Sequence, residues 1–187
     1  MKSLKIVIAD NESVIRMDVR EMLEEAGHEV VGEAVNGKKA VELARRYKPD
    51  LCILDVKMPE MDGITAAKII TEEKIAPVLL LTAFSQADMV KRATEAGVLA
   101  YLVKPVQESN LFPAIEVALS RYQEEDELFK VKDTLAMRKT LDRAKGILMD
   151  AHGYTESEAF KKIQQYSMAK RKTIKEVAEA IIRAATK

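Results

Sequence analysis

Asp10, Asp55, Thr82 and Lys104 each stand at or just beyond the end of a short apolar run: Leu4 to Ala9, Leu51 to Leu54, Val78 to Leu81 and Leu99 to Val103. Two carboxylates, a hydroxyl and an ammonium are the groups that reversible phosphorylation of a carboxylate requires. One Asp attacks phosphorus, neighbouring oxygens hold Mg²⁺ against the incoming charge, and the hydroxyl and ammonium bind the phosphoryl oxygens. Each residue alone has an ordinary reading, because Asp at a strand end often caps a helix and Lys is usually solvated. Their joint placement at successive strand ends is what carries information.

For these groups to meet, the runs must be strands of one sheet with their carboxyl ends on a common edge. Apart from Lys5 and Glu33 the runs, with Val30 to Ala34, are apolar rather than alternating, which fits strands covered on both faces and hence a parallel sheet. Between them apolar residues recur at helical spacing, as in Val14, Met17, Met22 and Leu23, or Ala40, Val41 and Ala44. Five strands and five helices in about 120 residues predict an α/β, flavodoxin-like domain with strand order 2-1-3-4-5, whose ligands sit beyond the carboxyl ends of the strands.

From Glu108 the pattern is helical, with Leu111, Ile115, Ala118, Leu119 and Tyr122 on one side and Pro113 expected in a tolerant first turn. The acidic run Glu124 to Glu127 follows, then Leu128, Val131 and Leu135 at heptad-like spacing, so a helix can leave the sheet domain and extend as a linker. Met137, Leu141, Ala144 and Leu148 begin a further amphipathic stretch that Gly153 stops. Thr155 with Glu158, and Thr173 with Glu176, have the spacing of capping boxes. The expected organisation is a sheet domain over 1–121, a helical, coiled-coil-like linker over 122–137, and an all-α domain of three short helices over 138–187.

Residues 138–187 carry twelve basic and six acidic side chains, although the chain as a whole is neutral. That asymmetry suggests a tail that meets a polyanion, against the plainer readings of a solvated basic face or a dimerisation bundle. Lys170, Arg171 and Lys172 stand before a capped helix, a setting that attracts phosphates. The longest apolar stretch, Ile75 to Ala83, is broken by Pro77 and is far short of the roughly 20 residues of a membrane span. With no secretory core after Met1, the expected location is the cytoplasm. The single cysteine, Cys52, reads as a small buried hydrophobe, and neither His28 nor His152 has partners at zinc-ligand spacing.

The segments Ile8-Ala9-Asp10-Asn11-Glu12, Leu54-Asp55-Val56-Lys57-Met58-Pro59-Glu60-Met61-Asp62-Gly63, Leu81-Thr82-Ala83 and Tyr101-Leu102-Val103-Lys104-Pro105 resemble the receiver domain of two-component response regulators. The resemblance implies Asp55 as phosphoacceptor, Mg²⁺ held at Asp10, Asn11, Asp55 and the Lys57 backbone carbonyl, and a sensor histidine kinase as phosphodonor. It further implies phosphoryl binding by Thr82 and Lys104, a switch in which Tyr101 moves with Thr82, and a cis bond between Lys104 and Pro105. Asn11 departs from the family's pattern, which has a second acidic residue there. An amide oxygen still coordinates Mg²⁺, but one negative charge is lost and weaker metal binding should follow.

In the tail, Arg138, Arg143-Ala144-Lys145-Gly146-Ile147-Leu148-Met149, Gly153, Thr155-Glu156-Ser157-Glu158-Ala159-Phe160 and Ser167-Met168-Ala169-Lys170-Arg171 resemble the ANTAR antitermination domains. Members of that family bind paired RNA stem-loops in leader transcripts as dimers and keep the terminator hairpin from forming. The resemblance makes Arg143, Lys145, Lys170, Arg171 and Lys172 candidates for RNA contact, with Ala144 and Gly146 allowing close packing or close approach. Tyr154, Phe160 and Tyr166 have the chemistry to stack on bases, although Phe160 shares an apolar face with Ile163 and reads as core. The implied function is a phosphorylation-regulated transcription antiterminator, a homodimer at least when activated. A response regulator with a DNA-binding helix-turn-helix output is the alternative, and the tail lacks an evident recognition helix rich in Asn, Gln and Arg. An enzymatic output is disfavoured, since the tail offers no nucleophile with a base and no metal cluster.

Overall fold

Five short strands form one parallel sheet in the order β2-β1-β3-β4-β5, in a computed structural model that describes residues 3–83 and 87–185, with the backbone only at 87–89. The strands are β1 (Lys5–Ala9), β2 (Glu29–Ala34), β3 (Leu51–Asp55), β4 (Val78–Thr82) and β5 (Ala100–Val103). The helices between them are α1 (Ser13–Glu25), α2 (Gly37–Tyr47), α3 (Gly63–Glu72) and α4 (Ala87–Glu95). Strand side chains alternate between two cores. Val7, Ala9, Cys52, Leu54, Val78 and Leu80 pack with Ala40, Ala44, Ala67, Ile70 and Ala93. Ile6, Ile8, Leu51, Ile53, Leu79 and Leu81 pack with Val19, Leu23, Leu111 and Ile115. Burial on both faces is why these runs are apolar without alternation. The Cys52 thiol is fully buried, and loss of solvent pushes its pKa up to about 12.

Apolar spacing does not by itself set burial in this layer. Val14 and Met17 are exposed, because the face of α1 that meets the sheet is the stripe Ile15, Val19, Met22 and Leu23. β5 is an edge strand covered incompletely, with Tyr101 and Val103 exposed.

α5 is one helix of 45 residues, Glu108–His152. The expected boundaries at 121/122 and 137/138 both fall inside it, so the first tail helix is not short. Residues 114–145 contain neither Gly nor Pro, and nothing in that stretch terminates a helix. Pro113 is the sixth residue of α5 rather than part of its first turn. Its missing N–H leaves the Ser109 carbonyl to solvent, and Ser109 is exposed.

By its contacts the chain divides into two compact units, Met1–Glu124 and Glu125–Lys187. The second unit packs the end of α5 with α6 (Glu156–Lys170) and α7 (Ile174–Ala185) around Ala144, Ile163, Val177 and Ala178. Thr155 and Glu158 form the full capping box of α6. Thr173 and Glu176 exchange the same reciprocal bonds before α7. α6 ends at Arg171 in the left-handed conformation. Among the described residues no helix is long and apolar enough to cross a membrane.

Candidate functional site

Strand register alone gathers the acidic and basic groups. Ala9 pairs with Leu54 and Asp55 with Leu81, while Thr82 pairs with Val103. Asp10, Asp55, Thr82 and Lys104 therefore line one edge of the sheet. Asp10 and Asp55 are only 2% and 4% exposed. Two buried carboxylates side by side need a cation, and Lys104 supplies it: its Nζ lies 2.6 Å from Asp10 Oδ2 and 2.8 Å from Asp55 Oδ1. The peptide bond that follows, Lys104–Pro105, is cis, as the resemblance implied.

The backbone fixes the rest of the pocket. The Lys104 N–H donates to the Thr82 carbonyl, and the Glu12 N–H donates to Asp10 Oδ1. The Gly63 N–H donates to the Val56 carbonyl, drawing the start of α3 against the end of β3. A Cβ at Gly63 would lie 2.0 Å from the Asp55 carbonyl oxygen, so only glycine permits this approach. Burial raises the Asp55 pKa and the neighbouring Asp10 charge adds to the rise, against the hydrogen bonds from Lys104 and from the Lys57 N–H. Burial also opposes the charge on Lys104, but its hydrogen bonds to Asp10 and Asp55 outweigh that and leave its pKa raised.

The other expected residues are arranged less tightly. Thr82 is buried at the end of β4, whereas Tyr101 on β5 is 42% exposed. Asn11 and Lys57 are exposed. Glu12, which the sequence reading passed over, places Oε1 3.9 Å from Lys104 Nζ. No local spacing rule relates Glu12 to Lys104.

In the second unit, Arg143 and Lys145 flank the buried Ala144 on α5, and a Cβ added at Gly146 meets nothing within 4 Å. Ala144 thus serves packing, and Gly146 leaves open surface. Arg143, Lys170, Arg171 and Lys172 are exposed. Lys170 Nζ lies 6.0 Å from the ring centre of Tyr166, itself exposed. Phe160 is not core: it is exposed, and Ala159 takes the buried place beside Ile163. Lys145 is held within the unit, its side chain 14% exposed with Nζ 2.8 Å from Asp142 and 2.6 Å from Glu156. Asp142, three residues before Lys145, was a readable partner; Glu156 was not.

The family model of the response regulator receiver domain matches residues 6–116, and that of the ANTAR domain matches residues 130–182. The chain belongs to the response regulators. The transcriptional regulatory protein PdtaR of Mycobacterium tuberculosis is 53% identical over 182 residues, which cover 95% of this chain and 89% of PdtaR. The chemotaxis protein CheY of Bacillus subtilis is 40% identical over 117 residues, or 62% of this chain and 98% of CheY. Among solved structures, the signal receiver domain of the response regulator NarL from Mycobacterium tuberculosis superposes with a TM-score of 0.60 at 29% identity, covering 66% of this chain and 98% of that one.

This response regulator therefore joins a receiver domain to an ANTAR RNA-binding output, and neither matched family is an enzyme class. Receiver domains generally use Mg²⁺, and the donor set here suits that ion. Asp10, Asp55, the Asn11 amide and the Lys57 carbonyl offer hard oxygens only, and the two buried carboxylates already share a cation. Among the described residues no three Asp, Glu, His or Cys side chains converge at metal-ligand spacing. Waters and backbone oxygen must complete such a shell, as Mg²⁺ ordinarily allows.

Proposed function

We propose that this response regulator is a transcription antiterminator switched by phosphorylation of Asp55. The observation that carries the proposal is the Lys104 ammonium bridging two buried carboxylates at the sheet edge. Asp55 attacks phosphorus of a histidine kinase's phosphoimidazole; the new P–O bond makes an acyl phosphate, and the P–N electron pair leaves with the imidazole. Lys104 and the Thr82 hydroxyl bind the transferred oxygens. Asp10, Asn11, Asp55 and the Lys57 carbonyl would hold Mg²⁺, which neutralises phosphoryl charge when bound.

Thr82 and Tyr101 then act as the switch, and residues 122–137, within α5, link receiver and output. Phosphorylation shifts the population of an RNA-competent homodimer through the different packing of Thr82 and Tyr101 in the two states. Arg143, Lys170, Arg171 and Lys172 contact stem-loops of leader transcripts in the cytoplasm, and Lys145 joins them once released from its carboxylates. Treatment with a small phosphodonor tests the first half. Intact-mass measurement should find one phosphoryl group on the wild type and none on Asp55→Asn, and phosphate on another residue would refute the assignment. Hairpin-RNA affinity and light scattering of both forms test the second half. Equal affinity and equal mass would refute the switch.

A further inference from the structure

Asp10 and Asp55 contribute two negative charges and Lys104 one positive, leaving a single net charge to attract a divalent cation, with neutral Asn11 beside them. Glu12 stands next in the chain. It is the residue at the N-cap of α1, yet its side chain makes no capping hydrogen bond. Its carboxylate instead lies 3.9 Å from Lys104 Nζ, the third carboxylate within 4 Å of that ammonium. Its side chain is well exposed, whereas Asp10 and Asp55 are buried.

Resting on the reading of this pocket as a Mg²⁺-holding phosphoacceptor site, we infer that Glu12 supplies the negative charge that Asn11 does not. Glu12 acts in two connected ways. It adds charge at the mouth of the pocket, where a water of the metal's shell can be held. It also gives Lys104 an alternative partner when a metal ion draws Asp10 and Asp55 away from the ammonium. Both follow from Lys104 being shared by three carboxylates, and neither needs Glu12 to bind the metal directly.

Mg²⁺ titration by calorimetry on the full chain tests this without phosphorylation. Glu12→Gln should raise the Mg²⁺ dissociation constant on the order of three- to tenfold, and Glu12→Asp should stay within about twofold of wild type. Asn11→Asp should bind more tightly than wild type, and the double variant Asn11→Asp with Glu12→Gln should return near it. Glu21→Gln, an exposed carboxylate elsewhere on α1, should change nothing. An unchanged constant for Glu12→Gln, or an equal loss for Glu21→Gln, overturns the role of Glu12. Asp10→Asn separates the two levels: if it weakens Mg²⁺ binding and Glu12→Gln does not, only Glu12 is misassigned. If wild type binds no Mg²⁺ at millimolar concentration, or Asp10→Asn binds it equally well, the metal site and the role of Glu12 fall together.

Discussion

Lys104→Met keeps an unbranched apolar stem nearly as long as that of lysine and removes the ammonium with its hydrogen bonds, so it tests what that group does for the receiver. In the wild type that ammonium lies 2.6 and 2.8 Å from two carboxylates whose side chains are 3% and 6% exposed, while its own is 15% exposed. Removing one partner of a buried ion pair costs about 3–5 kcal/mol. The Lys104 side chain keeps some exposure to solvent, so a smaller cost of about 2–3 kcal/mol is the better figure. For a domain of about 120 residues that loss lowers the melting temperature by roughly 8–12 °C. Scanning calorimetry of the full chain at neutral pH in chelator is the direct assay. The pH dependence carries a sign. The folded-state pKa of Asp55 is already raised by burial, and losing the Lys104 hydrogen bond raises it further. A carboxylate whose folded pKa exceeds its unfolded one destabilises the fold above that pKa and ceases to as pH falls through it toward the ordinary range. The deficit of Lys104→Met should therefore be larger at pH 8 than at pH 5. A melting temperature within about 2 °C of wild type, or a deficit that grows on acidification, would refute the view that Lys104 neutralises the pocket.

Gly63→Ala should cost at least about 3 kcal/mol, because its Cβ would fall 2.0 Å from the Asp55 carbonyl oxygen and the obstacle is backbone; calorimetry giving a wild-type melting temperature would show that the α3–β3 junction yields easily. Thr155→Ala removes half of the α6 capping box and should destabilise the second unit by about 1 kcal/mol, measured as a shift in its own thermal transition while the receiver transition stays in place. Replacing Lys170 and Arg171 by Ala should weaken hairpin-RNA binding and flatten its log–log salt dependence by up to about 1.5; weaker binding with an unchanged slope would mean that these side chains do not meet phosphates.

The strand assignments were legible because both faces of the sheet are covered: a run such as Leu51 to Leu54 is buried residue by residue, and short all-apolar runs alternating with helical patterns fit the central strands of a parallel sheet. The positions of Asp10, Asp55, Thr82 and Lys104 were legible for the same reason, since parallel strands put their carboxyl ends on one edge. Helix orientation was less so. Val14 and Met17 have helical spacing but lie off the buried stripe of α1, and Phe160 lies off that of α6; periodicity locates a helix without saying which arc of it meets the core. Charge partners were the least visible. Glu12 meets Lys104 only through the fold, and Glu156 meets Lys145 across a helix junction. A basic side chain that looked free for RNA is thus paired, a fact that neither composition nor motif spacing contains.

The lone thiol on β3 gives the receiver a built-in clock. Cys52 is fully buried between two layers of side chains, and its pKa is pushed up to about 12, so the thiolate that reacts with alkylating or disulfide reagents is scarce while the sheet is intact. Modification then proceeds only through molecules whose sheet has opened, and its rate measures that opening under native conditions. Because the sequence holds one cysteine, every labelled chain reports the same event, undisturbed by fraying of the helical output domain. Where reclosing outruns reaction, the rate yields the opening equilibrium; where the reagent is concentrated enough to outrun reclosing, it yields the opening rate itself.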